Sequence, residues 1–167
     1  MKRQVVRNQG TLNPISVSKV KVTFINSWFD PESARNAAKA QIAAGADTIF
    51  CERVGCHRAA MEHSGILVFG NISDQNSLAP NIIITGPVWN MEPTVDYILN
   101  QVSAGVDTAQ DLKDFSSMAK GGASLAPFHG LENQLPAEVK DLIASRQAEI
   151  INGLFRVEIN ENIPVSD

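Results

Sequence analysis

Apolar residues in this chain fall in short runs, and amphipathic, Ala-rich or polar stretches separate them. The stretch at residues 21–31, KVTFINSWFDP, sets the pattern. Val20, Val22, Phe24 and Ile25 are apolar and mostly β-branched or aromatic, which predicts a parallel strand over about 19–25, covered on both faces. Asp30 then stands at an N-cap position and Pro31 at the first helical position, where its missing N–H costs nothing. Ser27, Trp28 and Phe29 occupy the corner between strand and helix. Ligands of open α/β sheets bind at the carboxyl ends of the strands. The aromatic pair therefore reads either as a lid over the sheet end or as a platform for a flat ligand.

The same unit recurs along the chain. A helix is expected over residues 31–44, with Ala34, Ala37, Ala38 and Ile42 on one face and Gly45 after it. A strand at 47–51 leads through a turn at 52–55 to a helix over 56–63. Gly65 precedes a third strand at 66–69, a polar loop spans 70–80, and a fourth strand covers 81–85. Strands alternating with helices in this way predict βαβ units, a parallel sheet and right-handed crossovers. Pro93 opens a further helix with Val95, Ile98, Leu99 and Val102 on one face, and Gly105 ends it. Residues 106–115 read as irregular and 118–127 as a turn and a short strand. The last long helix starts at Pro136 and stops at Gly153. Residues 1–8 read as a helix tail, 9–18 as a loop and 154–159 as an edge strand.

Composition narrows the classes. The chain has 167 residues, 44% of them apolar and 19% charged, enough for one packed domain or slightly more. A net charge of −4 without a basic stripe argues against a nucleic-acid partner. No apolar run approaches the roughly 18 residues of a membrane span. The basic residues at the N-terminus are not followed by an apolar core, so the chain as written is expected to lack a signal peptide and to be cytoplasmic. Cys51 and Cys56 are expected to be buried or incidental thiols rather than a disulfide or metal ligands.

Candidate chemistry gathers at the strand ends. No nucleophile elbow, phosphate-binding loop or dinucleotide fingerprint is present. Cys56 and His57 are sequence neighbours, which on a helix do not face each other. His63 and His129 are expected to pack or to face solvent. Lys120-Gly121-Gly122 reads as a tight turn or as an anion cradle. Four groups come directly after the four expected strands: Trp28 with Asp30, Glu52 with Arg53, Asn71 with Asp74, and Trp89 with Asn90. In a parallel sheet all four rise on one edge. Indoles offer flat faces, and carboxylates accept hydrogen bonds from hydroxyls or ring N–H groups. The set lacks a nucleophile–base pair, so it suggests binding rather than turnover, with no cofactor or metal. A purely structural role for these residues is the other reading that they allow.

The ordered segments FINSWFDP, AAGADTIF, GNISDQNSLAP, ITGPVWN, MAKGGASLAPFH and LPAEVKDLI resemble the basic membrane protein (BMP) family. Its members are substrate-binding lipoproteins of ABC importers that carry purine nucleosides or bases. The resemblance runs from about Val5 to the end. It implies a type I periplasmic-binding-protein fold, in which two α/β lobes joined by a hinge clamp the ligand. It implies ligand-facing roles for Trp28 against a purine ring, Asp74 toward the ribose or base, Trp89 at the hinge-side edge of the cleft, Lys120 near the cleft or hinge, and Glu52 with Arg53 facing the cleft. Asp30 completes the ligand-binding set expected at the strand ends.

The chain departs from the family in three places. Ile72 stands where many members carry a second acid before Asp74. The stretch before the first expected strand is short. The whole first lobe is missing from the match. Residues 1–90 are therefore expected to form the second lobe with its parallel sheet. Residues 91–167 are expected to supply the hinge return, the C-terminal helices and short strands, with the N-terminal lobe absent. The expected partners are a purine and, for the full-length protein, an ABC permease. Self-association through the face left by the missing lobe is also expected. A cytoplasmic small-molecule sensor of the same fold and a non-functional truncated remnant are the alternative readings. The full-length family implies a periplasmic, membrane-anchored location.

Overall fold

A computed structural model of the chain describes residues 19–156 and Asn162. The expected features at 1–18, and residues 157–159 of the expected strand at 154–159, lie outside the described residues.

Helix α1 spans Pro31–Ala43. Asp30 caps it: Oδ1 accepts the Ser33 backbone N–H at 3.0 Å and Oδ2 the Ser33 hydroxyl at 2.7 Å. Ala34 and Ala38 are buried, and their small side chains let the helix pack closely on the helix at Cys56–Ala60. Strand β1 (Thr48–Phe50) comes next, then α2 (Cys56–Ala60), β2 (Leu67–Phe69) and β3 (Ile83–Thr85). The three strands form one parallel sheet in the order β1-β2-β3. Ile49 is in register with Val68, and Val68 with Ile83.

Strand periodicity sorts the side chains into two layers. Ile49, Val68 and Ile83 are buried in the core with Ala38 of α1 and Ala59 and Ala60 of α2. Burying each such aliphatic side chain is worth about 1.5–3 kcal/mol. Phe50, Phe69 and Ile84 face the other way, toward Val139 and Ile143 of α4 (Ala137–Ile151). The sheet is thus layered between α1 and α2 on one side and α4 on the other.

Where the strands end, the backbones come very close. A Cβ on Gly86 would lie 2.4 Å from the Gly70 carbonyl oxygen, so only glycine fits there. Beyond Gly86 the chain forms β4 (Pro87–Trp89), which pairs antiparallel with β5 (Ala123–Leu125). The buried Thr85 hydroxyl donates to the Ala126 carbonyl at 2.6 Å, fixing this ribbon to the end of the sheet. Between β4 and β5 lies α3 (Glu92–Ser103), none of whose residues is buried.

Two expectations are corrected. The strand expected at 19–25 does not join the sheet; apart from a single β-bridge at Lys19 the segment is irregular. It runs beside the end of α1 instead. Lys21 Nζ donates to the Ala44 carbonyl at 3.0 Å, and Gln41 Nε2 to the Thr23 hydroxyl at 3.1 Å. Val20 and Phe24 remain 43% and 44% exposed, so the segment is not covered on both faces as its composition suggested. The second correction concerns Cys51 and Cys56, which form a disulfide rather than two thiols. The turn between β1 and α2 folds back far enough to bring their Cα atoms to 5.7 Å, within bridging range. Gly55 makes that turn possible. Its φ is +123°, and a Cβ there would meet the Pro31 carbonyl oxygen at 2.3 Å.

Candidate functional site

A line of hydrogen bonds ties the strand ends together. Arg53 Nε donates to the Ser27 carbonyl at 3.3 Å, linking the β1–α2 turn to the corner before α1. Asn71 Nδ2 donates to the Glu52 carbonyl at 3.3 Å, linking the loop after β2 to the same turn. The Trp89 backbone N–H donates to the Ile72 carbonyl at 2.8 Å, which brings in β4. Trp28, Glu52, Arg53, Asn71 and Trp89 therefore share one edge, at the carboxyl ends of the parallel strands.

The side chains along this edge are open to solvent but not loose. Trp28 is 86% exposed, and the Arg53 guanidinium lies over its ring at 4.5 Å from the centroid. That contact is a cation–π attraction. Glu52 pairs with the same guanidinium, which balances its charge. Trp89 is 60% exposed.

Asp74 lies in the loop after β2, and both of its oxygens are engaged. Oδ1 accepts the Asn76 backbone N–H at 3.0 Å, and Oδ2 lies 2.7 Å from His129 Nε2. The Asn76 N–H and then the His129 contact hold its pKa below the usual carboxylate value. The group is therefore a fixed anion with acceptor capacity left on each oxygen.

Two residues of the expected set are placed differently. The Asp30 carboxylate is occupied by Ser33 in the α1 cap, which also lowers its pKa. Lys120 ends the 3-10 turn Met118–Lys120 and lies 5.9 Å from the Phe115 ring centroid. It reaches the edge only indirectly. Asn90 Nδ2 donates to the Gly121 carbonyl at 3.2 Å, and the Asn90 N–H donates to the Gly122 carbonyl at 2.9 Å. The backbone N–H groups of Gly121 and Gly122 donate to the Met118 and Ser117 carbonyls, so they form a tight turn and not an anion cradle.

Sequence reasoning missed His129, which it expects to pack or to face solvent. No local signal marks it, because its partner is 55 residues away. His57 is buried in α2, burial lowers its pKa, and its neighbour Cys56 is oxidised. The pair therefore offers no free thiol as a nucleophile. Among the described residues no three His, Cys, Asp or Glu side chains gather as metal ligands. An apolar cavity of about 410 Å³ lies under α4, lined by Phe50, Phe69, Ile84 and Val139 among others. It contains none of the six expected residues and is a packing space on the opposite side of the sheet from α1 and α2.

Comparison with known proteins agrees with this architecture. A family described as "Bmp: ABC transporter substrate-binding protein PnrA-like" matches residues 11–161. A purine-binding protein of Brucella abortus is 33% identical over 137 residues, covering 81% of this chain and 37% of that protein. A putative ABC transporter glucose-binding protein of Haloferax volcanii is 28% identical over 144 residues, covering 85% and 35%. The chain thus spans little more than a third of the length of these relatives.

Among solved structures, an ABC transporter solute-binding protein from Aeropyrum pernix superposes with a TM-score of 0.60 at 14% identity, covering 81% of this chain and 46% of that one. One from Conexibacter woesei gives 0.57 at 18% identity, covering 87% and 48%. These likenesses show the α/β periplasmic-binding fold. The match over residues 11–161 shows more: the chain belongs to the Bmp family of PnrA-like ABC transporter substrate-binding proteins.

Proposed function

We propose that this chain supplies one ligand-facing edge of a two-lobed substrate-binding protein of an ABC importer, and that the ligand is a purine base or nucleoside. The observation that carries this reading is the exposed Trp28 indole backed by Arg53 on the same edge as Glu52 and Trp89. With Arg53 over one face, the other face is free to stack on a flat ring. Asp74, held as an anion, accepts a hydrogen bond from a ring N–H, an exocyclic amine or a ribose hydroxyl. A stacked aromatic contributes about 0.5–1.5 kcal/mol beyond burial. A hydrogen bond to a charged acceptor adds about 1.5–3 kcal/mol. The kinship with a purine-binding protein supports the same choice of ligand.

In this reading residues 1–90 belong to the second lobe, and residues 91–167 supply the hinge return and the C-terminal helices and short strands. The ribbon of β4 and β5 is the hinge segment. The exposed apolar face of α3 packs on the other lobe, and α4 returns to the sheet. The complete protein delivers its ligand to a membrane permease from outside the membrane and catalyses nothing. Among the described residues no helix is long and apolar enough to cross a membrane.

A sugar is the second reading, because indole faces also stack on pyranose rings and one relative is described as a putative glucose-binding protein. Titration of the two-lobed protein, monitored by tryptophan fluorescence, separates the two. Saturable quenching by adenine, adenosine, guanosine or inosine and none by glucose is expected. Response to glucose alone overturns the purine reading.

A further inference from the structure

We infer that His129 is a positioning residue of the binding edge, acting on ligand through Asp74; the inference rests on the reading of Asp74 as a ligand acceptor. Three observations converge on it. His129 Nε2 lies 2.7 Å from Asp74 Oδ2, while the Asn76 N–H holds Oδ1, so the carboxylate is gripped at both oxygens. The two residues come from separate parts of the fold: the loop after β2, and the segment that leaves the β4–β5 ribbon. His129 also has φ +48°, a left-handed conformation that is uncommon for any residue but glycine. The glycine stands one place later, at Gly130, so the unfavourable backbone falls on the residue whose ring meets Asp74.

The neighbours of His129 keep it in place. Phe128 lines the cavity under α4, and Leu131 is buried. The ring is thus carried on a short turn anchored on both sides. Because Asp74 is an acceptor only, Nε2 must carry the proton of their hydrogen bond. Nδ1 is then left as an acceptor in the neutral ring. A carboxylate fixed in this way meets a ligand donor without first losing rotamer freedom, the usual advantage of a supporting shell around a binding group.

The test is a double-mutant cycle on purine affinity with His129→Ala, His129→Gln, Asp74→Ala and the double alanine variant. His129→Ala is expected to weaken the tightest-binding purine about five- to tenfold. His129→Gln, which keeps an N–H donor, should recover most of that loss, and His129→Ala should have no further effect in the Asp74→Ala background. If Asp74→Ala weakens binding while His129→Ala does not, or if the His129 effect persists without the acceptor, the inference is overturned and the purine reading stands. If no purine binds, the proposed function has failed and the pairing is read without ligand. ¹⁵N NMR should then show His129 protonated at Nε2 in wild type and a changed tautomer balance in Asp74→Ala. An unchanged spectrum overturns the pairing as well.

Discussion

The guanidinium of Arg53 lies over the indole of Trp28, 4.5 Å from the ring centroid, and its Nε is bonded to the Ser27 carbonyl. One side chain thus supports the aromatic platform and fastens the corner that carries it. Exposed cation–π contacts are worth about 0.5–1 kcal/mol, or roughly two- to fivefold in affinity. Arg53→Ala is expected to weaken purine binding by that factor and to change the Trp28 fluorescence. Arg53→Lys should recover only part, because an ammonium does not stack. Titration of the three proteins side by side checks this; equal affinities would show that the contact is incidental.

Local signals carried much of this fold. Asp30 and Pro31 mark the start of α1 and Gly45 its end, and the structure has the cap and the stop at those places. The apolar runs that became β1, β2 and β3 are separated by helical or polar stretches in a repeating βα order, which is why they read as parallel strands, and the structure pairs them in parallel. The run at 20–25 carried the same signal and did not join the sheet. Apolar composition says that a segment can pair, not that a neighbouring strand is within reach. The Cys51–Cys56 bridge depends on how sharply the turn through Gly55 reverses, which spacing alone does not encode. The partnership of His129 with Asp74 was illegible because only the tertiary fold brings them together.

Glu62 ties α1 to the end of α2. Lys39 Nζ lies 2.7 Å from its Oε2, and Arg35 Nε donates to its Oε1 at 3.0 Å. Hydrogen bonds from Lys39 and then Arg35 bring its pKa from 4.5 down to about 2. The folded value lies below the unfolded one, so the unfolded chain takes up the proton first. The contribution of Glu62 is present above pH 4.5 and is lost as pH falls toward about 2. Glu62→Gln should flatten this part of the acid denaturation curve. A wild-type and Glu62→Gln pair with parallel curves between these pH values would contradict the assignment.

The Cys51–Cys56 bridge closes a short loop at the turn that carries Glu52 and Arg53. In the chain-entropy account a loop of that size stabilises by about 2 kcal/mol. For a chain of this length that corresponds to roughly 4–8 °C in thermal midpoint. Reduction, or the Cys51→Ala/Cys56→Ala double substitution, is expected to lower the midpoint by that amount. Calorimetric scans with and without reductant measure it, and identical midpoints would show that the bridge adds nothing.

Val95, Ile98, Leu99 and Val102 of α3 are all exposed, Leu99 to 58%. A contiguous apolar face of this kind invites association. Residues 1–167 on their own are expected to self-associate with rising concentration, and Leu99→Glu with Val102→Lys should return them to monomer. Sedimentation velocity reads this directly. A monomer that persists at high concentration without those substitutions would rule the face out as a contact surface.

The central claim is that Trp28 and Asp74 together recognise a purine, and isothermal calorimetry tests it most directly. Adenine, adenosine, guanosine and inosine are titrated into the two-lobed protein as wild type, Trp28→Ala and Asp74→Ala. The isolated chain, which offers one face only, should bind in the millimolar range or more weakly, about −4 kcal/mol at best. The two-lobed wild type should bind at least one of the four far more tightly. Each substitution should cost about 0.5–3 kcal/mol of that affinity. Binding of none of the four, or an affinity that both substitutions leave unchanged, would contradict the assignment.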